Sequence, residues 1–144
     1  MILAKFWILI LLVIICIYDI RHLVIPDVCV LLMLPAALAS SEGWKVRVAA
    51  ALIVWTAFLL IAAVSALLKN QSPIGMGDIK LFSAIALISG PRGLSASLLV
   101  SSLTGGTFSA ILLVLRKVQK KDQIAFGPFI AIGYAVYLAS TSAM

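Results

Sequence analysis

The chain has 144 residues, of which 64% are hydrophobic and 11% are charged, and its mean hydropathy is +1.23. This composition excludes an ordinary soluble domain, whose apolar share is nearer half, and indicates an integral membrane protein. The net charge of +6 does not indicate nucleic-acid binding, because the basic residues form short clusters between apolar runs, where the positive-inside rule accounts for them.

Apolar runs recur along the whole chain and predict an all-α, polytopic membrane protein with about six transmembrane helices. The candidate spans cover residues 2–18, 23–39, 48–68, 79–89, 94–115 and 124–139. We expect Asp27 to cap the second span, and a polar loop from Ser40 to Arg47 to precede the third. We see no repeat and no second domain, so we take residues 1–144 as one membrane-embedded domain.

The fourth span is too short to cross the bilayer, even if it begins at Gly75, because a helix rises only 1.5 Å per residue. We therefore predict a short or broken helix, which ends at the break Gly90-Pro91-Arg92-Gly93 and begins at a glycine-rich turn, PIGMGDIK (residues 73–80). This turn carries Asp78 into an apolar run. A carboxylate in the middle of a membrane helix costs about 2.5–3.5 kcal/mol, so this acid is a candidate functional group.

The distribution of lysine and arginine predicts the orientation of the chain in the membrane. The loops after spans one, three and five carry seven basic residues, and the opposite side carries four: Lys5, Lys45, Arg47 and Arg92. This bias places the first set in the cytoplasm and both termini outside. In the fifth span, Gly105 and Gly106 are predicted to allow close helix packing.

Two of the five acids, Asp19 at the end of span one and Asp78 at the start of span four, fall on the same predicted side. Two carboxylates held within a few ångströms cannot both ionise cheaply, so such a pair shares a proton. That shared proton suits an aspartic protease, in which the ionised acid accepts a proton from water and the protonated acid polarises the scissile carbonyl. No serine, histidine and acid set competes, because His22 is the only histidine.

Other readings of these residues remain open. Asp19 can be a charge at the membrane boundary beside Arg21, Asp78 can be a helix N-cap, and the Lys80 amine can simply extend toward lipid headgroups. The two acids can also serve as proton or cation sites in a small transporter or channel component. A third alternative is a catalytically silent assembly protein of a secretion machine. Cys16 and Cys29 lack CxxC spacing, so we predict neither a metal site nor a disulfide.

Three blocks of residues, in this order, resemble the type IV prepilin peptidase family: YDIR (18–21) followed by IPD (25–27), GMGDIKL (75–81), and FGPF (126–129) with Gly133. The resemblance implies a six-helix membrane aspartic protease of the bacterial inner membrane. Such an enzyme removes the basic leader of prepilins or pseudopilins at the cytoplasmic face. The family's catalytic aspartates fall on Asp19 and Asp78, and no metal or organic cofactor is implied. Gly75, Gly77, Lys80 and Arg21 are assigned to the active-site turn and to substrate binding.

One departure from the family concerns methylation of the new amino terminus. Larger members carry an extra cytoplasmic segment ahead of the matching region, whereas the first span begins at residue 2 here. We therefore expect cleavage without N-methyltransferase activity. The blocks do not distinguish an enzyme of type IV pili from one of type II secretion or of tight-adherence pili.

Overall fold

The computed structural model describes residues 2–39, 43–69, 75–115 and 124–141, and within these ranges the chain forms helices and no strand. The elements are α1 (Ile2–His22), α2 (Asp27–Met33), a 3₁₀ helix (Leu34–Ala39), α3 (Trp44–Lys69), α4 (Met76–Val114) and α5 (Gly127–Ser140). Among the described residues, three helices are long and apolar enough to cross a membrane: Leu3–His22, Trp44–Ser65 and Met76–Val114. The all-α, multi-pass prediction is confirmed, whereas the count of six spans stays a prediction.

The second predicted span is not one continuous helix. Residues 23–26 are non-helical, α2 has only 7 residues, and a 3₁₀ helix follows from Leu34 to Ala39. Pro35 accounts for this change, because proline cannot donate a backbone hydrogen bond and its ring clashes with the preceding turn. The prediction that Asp27 caps this span was also wrong. Pro26 is the N-cap residue of α2, and no side chain caps the helix.

The polar loop that we expected before the third span is partly helical. The α3 helix begins at Trp44, so the segment from Trp44 to Arg47 belongs to its first turn. Residues 40–42 lie outside the described residues. So do residues 70–74 and 116–123, which include Pro73 of the predicted turn and four of the seven basic residues counted for the cytoplasmic side.

The predicted break between the fourth and fifth spans is confirmed at Gly90. The α4 helix continues from Met76 to Val114, but Gly90 has a φ of 63° and a ψ of −164°, which is not a helical conformation. Glycine reaches positive φ without the steric cost that a side chain adds. Pro91 follows and cannot donate to a carbonyl one turn earlier. Residue 90 therefore divides α4 into a first arm, residues 76–89, and a second arm, residues 91–114.

The two arms run in opposite directions along α5. The first arm begins with Asp78 near the start of α5, as described below, and ends at Ser89, whose hydroxyl hydrogen-bonds that of Tyr134 in the middle of α5. The second arm then returns and brings Gly105 against Phe126, directly before α5. The α4 element is thus a helical hairpin. The predicted close packing is confirmed for Gly105 and wrong for Gly106, where an added Cβ would meet nothing within 4 Å.

The first arm forms the centre of the core. The helices α3 and α5 pack most extensively against α4, and α2 and the 3₁₀ helix contact it as well. In α3, the ring of Phe58 stacks on Phe82 of this arm at a centroid distance of 5.7 Å. A helix with neighbours on all sides is expected to be apolar all round. The buried apolar residues of the arm fit this expectation: Ile79, Leu81, Phe82, Ala84, Ile85, Ala86 and Ile88.

Arg47 joins three elements at the hairpin end of the first arm. Its guanidinium donates from Nη1 to the carbonyl oxygen of Leu87 over 3.0 Å and to that of Ala37 in the 3₁₀ helix. In an unbroken helix the Leu87 carbonyl would accept from residue 91, but Pro91 has no N–H. A backbone carbonyl without a donor is costly in an apolar environment. Arg47 therefore compensates for the hydrogen bond that the hairpin loses.

We expect the variant Arg47→Met to lower the thermal unfolding temperature in detergent. Each buried carbonyl left without a donor costs about 1–3 kcal/mol. Arg47→Lys should retain part of the stability, because an ammonium group can still donate to one carbonyl. Arg92→Met is the matched control, since Arg92 is exposed next to the same break. Equal unfolding temperatures for Arg47→Met and Arg92→Met would show that the two contacts contribute little.

Candidate active site

Asp19 lies in the last turn of α1 and is buried, with only 4% of its surface exposed. Its Oδ2 accepts a hydrogen bond of 2.8 Å from the backbone N–H of Gly127, the first residue of α5. A buried carboxylate needs such a partner, because burying it without one is strongly unfavourable. The contact fixes the end of α1 against the start of α5.

Gly127 approaches Asp19 so closely that a side chain would not fit between them. A Cβ added to Gly127 would lie 2.7 Å from Oδ2 of Asp19 and 3.1 Å from its Cγ. From the sequence, Gly127 is recognised only as part of the family block FGPF, and no role is predicted for it. The signal available in the sequence was the order Phe126-Gly127-Pro128, since proline in the first turn is typical of a helix start.

Asp78 lies in the first turn of the first arm, three residues after Gly75, the N-cap residue of α4. Its carboxylate accepts a hydrogen bond from the backbone of Gly75, and its own N–H donates to the Gly75 carbonyl over 3.1 Å. The bond to the carboxylate resembles one half of a capping box, in which a side chain in the first turn accepts from the N–H of the N-cap residue. The N-cap residue is therefore Gly75, and the alternative in which Asp78 is the N-cap is wrong.

Asp19 and Asp78 lie in the same region, because Asp19 is held at the start of α5 and Asp78 follows Gly77, which packs against Ile25 just after α1. The charge of Asp19 is near enough to act on the carboxyl of Asp78. In the described ranges no Cα atom of α1 lies within 8 Å of a Cα atom of α4, so the backbones of the two helices stay apart. The two side chains thus come from separate helices, at the point where α1 ends and α4 and α5 begin. Two carboxylates in this relation can divide the roles of general acid and general base.

A comparison with protein families matches residues 6–110 of the chain to the model of the type IV leader peptidase family. The chain belongs to the type IV leader peptidase family. The matched region contains both Asp19 and Asp78 and ends before α5, so the contact between Asp19 and Gly127 lies partly outside it.

Similar proteins from several bacteria are named prepilin leader peptidase/N-methyltransferase. The Bacillus subtilis protein is 30% identical over 128 residues, which are 85% of this chain and 50% of the relative. The Legionella pneumophila protein is 32% identical over 135 residues, which are 90% of this chain and 46% of the relative. This chain therefore spans about half the length of the relatives that it matches. No solved structure matches the chain.

In this member of the type IV leader peptidase family, Gly77 sets the distance between the first arm and the segment that follows α1. A Cβ added to Gly77 would lie 2.9 Å from the Cβ of Ile25 and 3.1 Å from its Cγ1. Ile25 is buried in the non-helical segment between α1 and α2. Gly75 is less constrained, since its Cβ would lie 3.2 Å from Oδ2 of Asp78.

The remaining predicted site residues differ in their surroundings. Lys80 forms a partly exposed ion pair with Asp27, in which its Nζ lies 2.8 Å from each carboxylate oxygen. This pair replaces the capping role expected of Asp27 and links α2 to the first arm. Arg21 is exposed in the last turn of α1, two residues after Asp19. A role of Lys80 or Arg21 in substrate binding stays a prediction.

Gly133, which belongs to the third family block, lies away from the acids. A Cβ at Gly133 would come within 2.7 Å of the Ser97 carbonyl oxygen in the second arm. This glycine therefore permits close packing of α5 on the hairpin.

In the ranges 2–39, 43–69, 75–115 and 124–141, no group of three His, Cys, Asp or Glu residues is arranged to hold a metal ion.

Proposed function

We propose that this chain is an aspartic endopeptidase of the bacterial cytoplasmic membrane that cleaves the basic leader from type IV prepilins or pseudopilins. The proposal is carried by one observation: in a member of the type IV leader peptidase family, two acids from separate helices, Asp19 and Asp78, lie where α1 ends and α4 and α5 begin. The names of the relatives, which include prepilin leader peptidase, support the class of substrate.

Cleavage would begin with a water molecule held between the two acids, one of which is ionised and the other protonated. The ionised carboxylate accepts a proton from water as the water oxygen bonds to the scissile carbonyl carbon, and the protonated acid donates its proton to the carbonyl oxygen. The tetrahedral intermediate then breaks at the carbon–nitrogen bond: the leaving nitrogen takes a proton from the protonated acid, and a hydroxyl of the intermediate returns a proton to the ionised acid, which restores the pair. Each acid changes its protonation state during the cycle, so neither can be replaced by an amide.

The proposed substrate and membrane face agree with the distribution of basic residues in the chain and with the position of the two acids at helix ends. A prepilin carries a short basic leader followed by an apolar helix, so the scissile bond would lie at a membrane boundary. The excess of basic residues in alternate loops supports a position of the end of α1 and the start of the first arm at the cytoplasmic boundary. These basic residues would repel a basic leader, and we expect them to face lipid headgroups instead. Cleavage without methylation stays our prediction.

The proposal is tested with the chain reconstituted in phospholipid vesicles together with a purified type IV prepilin. We expect a shortened product, and mass spectrometry of its new amino terminus should place the cut at the end of the basic leader. An intact precursor after incubation with a folded, inserted chain would contradict the proposal. Proton uptake by the same vesicles without processing would instead support a transporter.

A further inference from the structure

The start of α5, although distant in the sequence, makes a direct hydrogen bond to Asp19 through Gly127. The two residues are separated by 108 positions, and the N–H of Gly127 donates to Asp19 Oδ2 over 2.8 Å in a buried position. Both partners are buried, so bulk water does not compete for the bond. A hydrogen bond from an amide to a carboxylate is stronger than one between neutral groups.

The start of α5 leaves Gly127 as the donor available to Asp19. The first N–H groups of a helix have no partner within it. Pro128 has no N–H, and the N–H groups of Phe129 and Ile130 both donate to the carbonyl of Phe126, over 3.0 and 3.2 Å. The remaining N–H is that of Gly127, and Asp19 accepts it. Asp19 thus caps α5 from another helix, while α5 orients the acid.

The space occupied by the Asp19 carboxylate exists only because residue 127 has no side chain. A Cβ there would lie 2.7 Å from Oδ2, 3.1 Å from Cγ and 3.2 Å from Cβ of Asp19. The contact with Oδ2 is too short for the carboxylate to keep its place, so the Asp19 side chain or the start of α5 would have to shift. A shift of about 1 Å in a reacting group can cost about 100-fold in rate.

We propose that Gly127 is a positioning residue, which fixes the catalytic carboxylate of Asp19 through its N–H and through the absence of a side chain. The amide holds Oδ2 and thereby fixes the direction in which Oδ1 points. This inference rests on the proposed function where it concerns cleavage, whereas the contact can be measured without any substrate.

The first test compares Gly127→Ala with Gly106→Ala in the vesicle assay with prepilin. We expect kcat of Gly127→Ala to fall about 100-fold with little change in KM, because the substrate still binds but the acid is displaced. The pH dependence of kcat should also change, whereas a general packing defect would scale kcat equally at every pH. Gly106→Ala should cleave normally, because its Cβ meets nothing within 4 Å. Equal rates and equal pH profiles for the two variants would overturn the inference.

The second test is a double-mutant cycle on the thermal unfolding temperature, which needs no activity. Gly127→Ala should lower this temperature when residue 19 is Asp, and by much less in the Asp19→Ala background, where Oδ2 and Cγ are absent. Additive effects would overturn the inference. If the unaltered chain does not cleave prepilin, the proposed function fails and the cycle alone decides whether Gly127 positions Asp19.

Discussion

Replacement of Asp78 by asparagine is expected to abolish cleavage of prepilin while leaving insertion and thermal stability close to those of the unaltered chain. Asparagine has the shape of aspartate, and its carbonyl oxygen can still accept the hydrogen bond from the Gly75 backbone. It cannot accept or release a proton during the reaction. General acid–base catalysis contributes about 10²–10⁴-fold, so we expect a loss of at least about 10²-fold.

Asp19→Asn should cause a loss of the same size, since its amide oxygen can still accept from the Gly127 N–H. The two single variants and the double variant should be nearly equally inactive, because groups that act as one unit are not additive. Rates in vesicles, normalised to inserted protein, measure this directly.

Asp27→Asn is the matched control, since it makes the same chemical change in a third aspartate of the same region. Asp27 forms a partly exposed ion pair with Lys80, and such pairs contribute about 0–1 kcal/mol. We expect its rate to change by less than about fivefold. A similar loss in all three variants would mean that charge in general, rather than the pair of Asp19 and Asp78, is needed.

Replacement of Gly77 by alanine is expected to reduce cleavage by about 10- to 100-fold. Its Cβ would lie 2.9 Å from the Cβ of Ile25, a distance that forces the first arm or the segment before α2 to move. Asp78 is the next residue in the arm, so this movement displaces its carboxylate from Asp19. The binding of prepilin should change less than kcat, because the disturbance lies at the acids.

The loss of cleavage rate should be larger where an added Cβ would lie closer to a neighbouring atom. Gly75→Ala should be milder than Gly77→Ala, because its nearest contact would be 3.2 Å, with Oδ2 of Asp78, whereas the Cβ at residue 77 would lie 2.9 Å from the Cβ of the buried Ile25. Gly106→Ala should have no effect, and Gly77→Val should be worse than Gly77→Ala. A rate for Gly77→Ala equal to that for Gly106→Ala would show that the distance to Ile25 does not control the acid.

The sequence predicted the features that depend on local chemistry. Apolar runs identified membrane helices, Gly90 and Pro91 identified the break, and the turn GMGD identified Asp78 as an acid with a special position. Each of these signals acts within a few residues. Asp19 and Asp78 were also predicted to fall on the same side, from the number of spans between them, and their role as a catalytic pair stays a prediction.

The features that the sequence did not reveal depend on contacts between distant segments. The hydrogen bond from Gly127 to Asp19 forms only because α5 begins beside the end of α1, and no local sequence pattern predicts that arrangement. Arg47 was counted as a loop charge, but its role depends on the Leu87 carbonyl, 40 residues away. Asp27 was predicted to cap its own helix, which is a local rule, whereas its partner is Lys80 in another element.

The shortness of the first arm has a consequence for the surrounding lipid. Residues 76–89 form a helix of about 21 Å, and α5, with 14 residues, has the same length, whereas the hydrocarbon layer is about 30 Å thick. Lipids next to short apolar segments adapt by local compression of the acyl chains. The first arm is enclosed by other helices, so we expect this effect where α5 faces lipid. There the headgroup region would dip toward the acids at the start of α5, and water would reach a depth at which a peptide bond anchored in the bilayer otherwise stays dry.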